Sequence, residues 1–559
     1  MLPTITLYDS FLKSNVTITD RTTVSNGIIK VYSCGPTVYN YQHIGNMRAA
    51  FLPDVFARTA RIAGYEVEWV LNITDVGHLV GDGDGVNVSN AEDKIEKSAK
   101  SSGKTVGEIV DFYLKDYFAQ AKAIGVELPV GRMNPKATEF IPQQMILALE
   151  LLRDRRAYLL EDGIYFDFEA NLDLKVPFNL KSGDGDNNFT GRNIVNTTKS
   201  PQDFALWKFV STDNLQRWCF ADYENVIEVF AQCDDPEIGL HGNVLNYWGT
   251  PGWHSECVAM ICRILGNKFI KNRAKFSFSD YKDETVIDVH FGGEDHIDIH
   301  HKNEILQSEA LGFHLSNYWV HNKFVLVDAK KMSKSLGNVF LVTGSKETTG
   351  FDSLVSRGYD PLSYRMLLLE HHYNNPMDFT WEKLTTAQTR LDNLRKEVAK
   401  IVSFATTDYI LVEDFWPHNI DNSDDDKIDS EDSVVDSFDD DNRAQSAQIK
   451  VLLSYLTNDL DTPKFLEKFT EFVLQVSNEI NNNQNLNKKN LVTIMFWERK
   501  FLNLGLTPEI PQAIMDLGAL RSDAKLAGDY PKSDEYRTSI QAQGYQIDDY
   551  KWGWGVWKK

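Results

Sequence analysis

Residues 28–33, IIKVYS, form a β-branched and aromatic run that ends at a Gly35-Pro36 turn. Apolar residues then recur at Phe51, Val55, Phe56 and Ile62, the spacing of one helical face, up to Gly64. A second apolar run fills 66–71. The pattern predicts a strand over 28–33, a helix over 46–63 and a strand over 66–71. Strand, helix and strand in this order make a βαβ unit, which implies a parallel sheet with its ligand at the strands' carboxyl ends. Upstream, only 4–8 reads as a short strand. Helical stretches over 106–123 and 139–155 alternate with a short strand at 163–168, and 324–327 is β-rich. Beyond 335 the chain turns helical. Leu384, Ala387, Leu391, Leu394, Val398 and Ile401 read as the core stripe of a bundle, and helices resume over 449–456 and 463–480. The predicted class is α/β: a Rossmann-like domain with an α/β insertion, followed by an α-helical bundle and a small C-terminal module.

At 559 residues the chain exceeds one core, and roughly three to four domains are expected. The divisions read from the pattern are 1–95, 96–250 as an insertion, 251–345, 346–404, 405–446 as an acidic linker, 447–510 and 511–559. No long uninterrupted apolar run appears, so no membrane span is predicted. The N-terminus lacks a basic stretch followed by an apolar one, which argues against a secretory signal. Five cysteines, at 34, 219, 233, 257 and 262, are an odd number that suits metal or core thiols in a reducing cytoplasm better than disulfides.

The net charge of −22 speaks against a nucleic-acid partner until it is localised. Residues 413–441 hold 13 acids and one lysine, a net of −12, which leaves −10 elsewhere. The total therefore neither excludes nor supports a basic groove. The 405–446 composition predicts disorder or weak local structure. A Gly/Asp-rich loop at 76–92 does not have calcium-loop spacing. Within 214–246, Cys219 and Cys233 could form a second metal site, but with no CxxC they read rather as buried thiols or a surface decoration.

The candidate chemistry centres on 31–48, VYSCGPTVYNYQHIGNMR. A strand, a Gly-containing turn and a helix start would aim free N–H groups and the positive helix end at an anion. Cys34 lies at the strand's end. Three further segments stand out: GWHSEC at 252–257, HFGGEDHIDIHHKNE at 290–304 and KMSKS at 331–335. His300 and Glu304, four apart on one helix, share a face, whereas His301 is expected to face elsewhere.

CGPTVYNYQHIGN resembles the HIGH signature of class I aminoacyl-tRNA synthetases, in the form found in cysteinyl-tRNA synthetases. NITD at 72–75, FALWK at 204–208, GWHSEC, HHKNE and the full KMSKS agree with it in order. The departures are Phe291, His296 and Lys302 at positions where the family has Gly, Leu and an acid. The resemblance covers most of 23–400 and, more loosely, 447–559. It implies a class I catalytic domain that forms cysteinyl-adenylate from ATP and L-cysteine and passes cysteine to tRNA(Cys), as a cytoplasmic monomer with no membrane contact. It implies four zinc ligands, Cys34, Cys257, His300 and Glu304, and one zinc ion per chain. A soft thiolate-binding ion separates cysteine from serine, which an apolar pocket does by only about 1–3 kcal/mol. It implies His43, Asn46, Lys331 and Lys334 as catalytic residues. Gly45, Gly292, Gly293, Asp295 and Lys334 would bind ATP, with Mg2+ beside it, and Thr37, Trp253 and His290 the amino acid. The 346–404 and 447–510 regions would contact the tRNA, and 511–559 its anticodon. There Trp552, Trp554, Trp557, Lys558 and Lys559 suit either base stacking or a small aromatic core. A ligase that hands activated cysteine to an amino sugar shares these motifs but resembles a truncated synthetase. A non-catalytic RNA-binding paralogue would have no reason to keep His43, both lysines and all four candidate ligands.

Overall fold

The structure, a computed structural model, describes residues 2–20, 24, 27–76, 94–180, 198–233, 235, 238, 242–266, 276–333, 336–407, 447–483 and 486–559. The Gly/Asp-rich loop (from residue 77), most of the acidic 405–446 segment and Lys334 lie outside the described residues. The chain divides into two compact units: Met1–Arg357 with Tyr373–Phe379, and Gly358–His372 with Thr380–Lys559.

The first unit opens with an antiparallel pair, β1 (Thr6–Asp9) and β2 (Ser14–Thr17). The predicted βαβ unit follows as β3 (Ile28–Ser33), α1 (Ile44–Ile62) and β4 (Glu66–Leu71). The helix begins before the predicted 46 because His43 caps it. Helices α2 (Lys94–Ser102), α3 (Val106–Ala123) and α4 (Ile141–Arg153) come next. Strands β5 (Ala157–Leu160), β6 (Gly163–Phe166), β7 (Phe204–Phe209) and β8 (Gly249–Pro251) then form an antiparallel sheet in that order, with α5 (Glu224–Phe230) between the last two in sequence.

Helix α6 (Trp253–Leu265) returns the chain to the main sheet. Strand β9 (Thr285–Gly293), a π-helical turn (Ile297–His301), α7 (Lys302–Ala310) and β10 (His314–Asn322) complete it. The order β10-β9-β3-β4 is parallel throughout. The strand order reverses between β3 and β9, and such a switch point opens a crevice at the strands' carboxyl ends. A three-stranded sheet of β11 (Val325–Val327), β12 (Lys330–Lys331) and β13 (Met377–Phe379), with the short α8 (Lys346–Thr349), lies in the same unit. Helix α4 is apolar on nearly every side, from Ile141 to Leu152, because it is covered all round. Its core is continuous with that of α6 and β9, so the insertion braces the crevice.

In the second unit α9 (Pro361–Leu369), α10 (Trp381–Thr407), α11 (Ala447–Leu456), α12 (Thr462–Asn483) and α13 (Lys488–Trp497) form the expected bundle. All six residues of the predicted α10 stripe are buried. The C-terminal module pairs α14 (Gln512–Leu526) and α15 (Tyr530–Ala542) with a hairpin, β14 (Tyr545–Tyr550) and β15 (Gly553–Lys558), around Ile514, Ile540 and Ile547. Its tryptophans are occupied by packing. Trp554 fills the space Gly518 leaves, Trp557 is buried, and Trp552 stacks on Tyr550 at 5.6 Å.

Candidate active site and metal centre

Two glycine-containing turns end neighbouring strands at the switch point. At the end of β3, any side chain on Gly35 would collide with the Asn72 carbonyl. Gly35 N–H donates to Asn72 Oδ1 at 2.8 Å, and Asn72 Nδ2 donates to Thr74 Oγ1 at 3.2 Å. This is how NITD locks the turn. Thr37, half-buried, pairs with Thr74 in the same turn.

His43 is the N-cap of α1. Its Nδ1 accepts from Gly45 N at 3.1 Å and Asn46 N at 3.3 Å, and Asn46 Oδ1 accepts from His43 N at 3.0 Å. Ile44 N donates to the Phe340 carbonyl and Met47 N to that of His43. The first-turn amides are therefore all taken, and the expected free backbone N–H groups are not there for an anion. The cap fixes another donor instead. With Nδ1 accepting, the neutral ring carries its proton on Nε2. Burial pushes the His43 pKa down to about 4, against the pull of Asp295, so the ring is neutral at physiological pH.

The start of the KMSKS segment lies on this helix start. A Cβ on Gly45 would stand 2.6 Å from the Met332 methyl. Lys331 is exposed, with its ammonium 4.7 Å over the Phe324 ring. Asn338 ties the turn: its Oδ1 accepts from Ser333 N at 2.8 Å and its Nδ2 donates to the Lys331 carbonyl at 3.2 Å. Arg48 is buried and donates to the carbonyls of Lys323, Phe324, Tyr373 and Asn375, at 2.7–3.3 Å. It fastens α1 to the segments that lead into β11 and β13. At the end of β9, Gly292 admits the His301 ring, which would lie 2.5 Å from a Cβ there, and Gly293 admits the Asp295 carboxylate.

Cys34, Cys257, His300 and Glu304 come together as expected, with their ligand atoms all within 4.8 Å of one another. His300 Nε2 is 2.9 Å from Glu304 Oε1 and 3.4 Å from Cys257 Sγ. A second set, Cys34, His290, His301 and Glu304, meets the same limit. His301 Nε2 is 3.3 Å from Cys34 Sγ, which corrects the expectation that it faces elsewhere. The expectation assumed α-helical spacing, whereas residues 297–301 form a wider π turn that directs both histidines inward. His290, expected against the amino acid, is fully buried in the cluster, 3.6 Å from Cys34 Sγ and 3.4 Å from Glu304 Oε2. Trp253 is half-buried and stacks on His300 at 4.2 Å and 19°. His296, a departure from the family pattern, sets its ring edge-on to Trp253 at 5.9 Å.

Both Glu304 oxygens are buried without a hydrogen bond of acceptable geometry. Burial raises both thiol pKa values, most strongly that of Cys257. Burial lowers that of His300, but Glu304 and Cys257 reverse the effect and raise it to about 10. Three acids thus converge on a point that demands positive charge, and two sulfurs, a nitrogen and a carboxylate fit a borderline-soft dication. Among the described residues, Cys219 and Cys233 join no such group; Cys233 Sγ donates to the Leu149 carbonyl at 3.4 Å.

Four residues of the site were not anticipated: Arg48 and Asn338, and His254 and His321, which lie 3.1 and 2.7 Å behind His300 and His301. Arg48 stands two positions past HIGN and His254 next to Trp253, so motif extension would have found both. Asn338, three beyond KMSKS, and His321, on β10, carry no signal of periodicity.

A four-stranded parallel sheet, with a histidine-capped helix at its switch point and a lysine-bearing loop on the cap, has the layout of a class I synthetase catalytic domain. The family model for the catalytic domain of class I (C) tRNA synthetases matches residues 21–82, 85–219 and 245–389, and the chain belongs to that family. Its relatives include the cysteine–tRNA ligase of Treponema denticola, 31% identical over 96% of each chain. Cysteine–tRNA ligase 1 of Burkholderia lata is 30% identical over 98% of this chain and 95% of its own. That of Lactococcus lactis subsp. cremoris is 30% identical over 95% of each.

Proposed function

We propose that the protein activates L-cysteine with ATP, forming cysteinyl-adenylate and pyrophosphate, and transfers the cysteine to the 3′-terminal ribose of tRNA(Cys). The observation that carries this reading is the neutral, capped His43 under the KMSKS segment, beside a buried thiolate-histidine-carboxylate centre, in a chain about 30% identical to cysteine–tRNA ligases over nearly its whole length.

The cysteine carboxylate attacks the α-phosphorus in line, and negative charge grows on the phosphate oxygens. Fixed donors and cations therefore set the rate. His43 Nε2–H and the Asn46 side-chain amide donate to phosphate from a preorganised cap. Lys331, with Lys334 beyond it in sequence, neutralises the departing pyrophosphate, and Mg2+ accompanies the ATP. Gly45, Gly292 and Gly293 shape the ATP site by making room for Met332, the His301 ring and the Asp295 carboxylate, and Asp295 holds the ribose hydroxyls. Cys34, Cys257, His300 and Glu304 hold a zinc ion, which supplies selective affinity for the substrate thiolate over a hydroxyl. Trp253 walls the amino-acid side of the pocket and Thr37 lines it, while His290, buried against Cys34 and Glu304, supports the metal centre from behind. The 346–404, 447–510 and 511–559 regions serve the tRNA. Five unpaired cysteines suit a reducing, cytoplasmic setting, and a monomer is sufficient for this chemistry.

Zinc-loaded protein, ATP, labelled cysteine and total tRNA test the reading, with label counted on acid-precipitated RNA. Label from cysteine and none from serine is expected. Exchange of pyrophosphate without labelled RNA would point to an amino-sugar acceptor. Silence in both assays would leave a non-catalytic RNA-binding protein.

A further inference from the structure

His300 and His301 are adjacent, both reach the metal centre, and each rests its remote nitrogen on a further histidine. His300 Nδ1 is 3.1 Å from His254 Nδ1, and His301 Nδ1 is 2.7 Å from His321 Nε2. One proton lies between the two nitrogens in each pair. The side on which it sits decides whether the inner nitrogen offers a lone pair or a proton.

The two pairs end differently. His254 Nε2 is 3.2 Å from the Asn303 amide. An amide can present either its oxygen or its nitrogen there, since the two are interchangeable on rotation. With Asn303 Oδ1 accepting from His254 Nε2–H, His254 Nδ1 accepts from His300 Nδ1–H. The His300 Nε2 lone pair then points at the centre. His321 has no such freedom. Its Nδ1 is buried with no hydrogen-bond partner. A buried orphan N–H costs more than a bare acceptor, so the proton sits on His321 Nε2 and is donated to His301 Nδ1. The neutral His301 ring must then carry its own proton on Nε2, 3.3 Å from Cys34 Sγ. A protonated nitrogen cannot ligate a metal.

We propose that His301 is a hydrogen-bond donor to the Cys34 thiolate, held in that tautomer by His321, and not a metal ligand. This rests on the reading that Cys34, Cys257, His300 and Glu304 hold the ion, and it decides between the two overlapping ligand sets. Two thiolates and a carboxylate more than neutralise a dication. A hydrogen bond to one thiolate withdraws charge and leaves the ion acidic enough to take a further thiolate from the substrate. His301 is thus a positioning residue that tunes cysteine selection through Cys34.

The test uses the full chain loaded with zinc or cobalt(II). Metal per chain is measured by atomic emission, the sulfur-to-cobalt charge-transfer band by absorption, and metal-bound thiolate reactivity by iodoacetamide. His301→Leu is expected to keep one ion per chain, shift the band to longer wavelength and alkylate several-fold faster. His301→Gln, whose amide can donate, is expected to return toward the parent values. His321→Leu, with the His301 side chain intact, should shift the band the same way by less, and it carries the test if His301→Leu does not fold. Loss of the ion in His301→Leu, or an unmoved band in either folded leucine variant, overturns the proposal. A parent chain that binds no metal overturns the underlying site reading instead.

Discussion

Met332 occupies the space that Gly45 leaves open: a Cβ built there would lie 2.6 Å from its methyl and 3.0 Å from the His43 ring. Met332 of the KMSKS segment and the helix cap are therefore fitted to each other across a missing side chain. Gly45→Ala should displace both. Pyrophosphate exchange is expected to fall on the order of 10- to 100-fold, the scale of an ångström-sized misplacement of reacting groups. The metal content should not change. Adding Met332→Ala should restore part of the rate; no recovery would identify the His43 ring as the group that alanine displaces.

Arg48 holds four carbonyls from two segments. Lysine keeps the charge but offers a compact ammonium in place of a planar fork. Arg48→Lys should leave buried carbonyls unpaired and lower stability by about 2–4 kcal/mol. Denaturant unfolding measures this, and a loss below the error of the fit would show that the contacts are dispensable.

The βαβ unit was legible because its strands are short, β-branched and bounded by glycine, and because α1 shows one apolar face. The four candidate ligands were legible only through the resemblance, since residues 34, 257, 300 and 304 meet through the parallel pairing of β3 with β9 and the packing of α6 on α7. His301 was misplaced because α spacing was assumed across a π turn, which leaves no mark in residue identity. The capped first turn of α1 was hidden for a different reason: histidine is not a usual cap, and reading it as an active-site residue obscured its local hydrogen bonds. The C-terminal hairpin was missed because its alternation is between tryptophan and glycine, not between apolar and polar residues.

Cys257 lies within 3.4 Å of His300 Nε2, in a centre where it, His300 and Glu304 are buried. Cys257→Ser replaces a soft thiolate with a hydroxyl that stays protonated. It is expected to lose zinc by atomic emission and to lose cysteine-dependent exchange. Full activity in zinc-free Cys257→Ser protein would falsify the metal role. Lys334→Ala should instead retain zinc and cysteine affinity while slowing single-turnover adenylate formation.

The neutrality of His43 has a pH signature. Its pKa is about 4 in the folded chain against 6.5 when unfolded. Between these values the unfolded state binds a proton that the folded state refuses, so its contribution destabilises the fold as pH drops from 6.5 toward 4. His43→Asn should flatten that part of the stability curve. A slope unaltered by the substitution would mean that His43 titrates normally. Because no charge change at His43 occurs above pH 6.5, the activation rate should carry no ionisation of this residue from there to pH 9.

Asp549 gathers three cations from two helices. Arg521 binds it through both terminal nitrogens at 2.7 Å, Lys525 Nζ is 2.8 Å away and Arg537 Nη2 is at 3.6 Å. The Arg521 hydrogen bonds, against some desolvation, hold its carboxyl well below the ordinary value of 3.8. The sign follows from a depressed acid: the contribution is complete above that ordinary value and is lost as pH falls through it toward the folded pKa. The module's other core is small, centred on Ile514, Ile540 and Ile547, so this clamp is a large share of what joins α14, α15 and the hairpin. Asp549→Asn removes the charge while keeping the shape, and it leaves the buried Arg521 guanidinium uncompensated. The module should then unfold before the rest of the chain, seen as early loss of tryptophan near-ultraviolet dichroism from Trp552, Trp554 and Trp557. Cysteine activation, carried by the first unit, should persist at the parent rate. An unfolding curve identical to the parent's would show that the isoleucine core and the hairpin's contacts with α10 hold the module without the clamp.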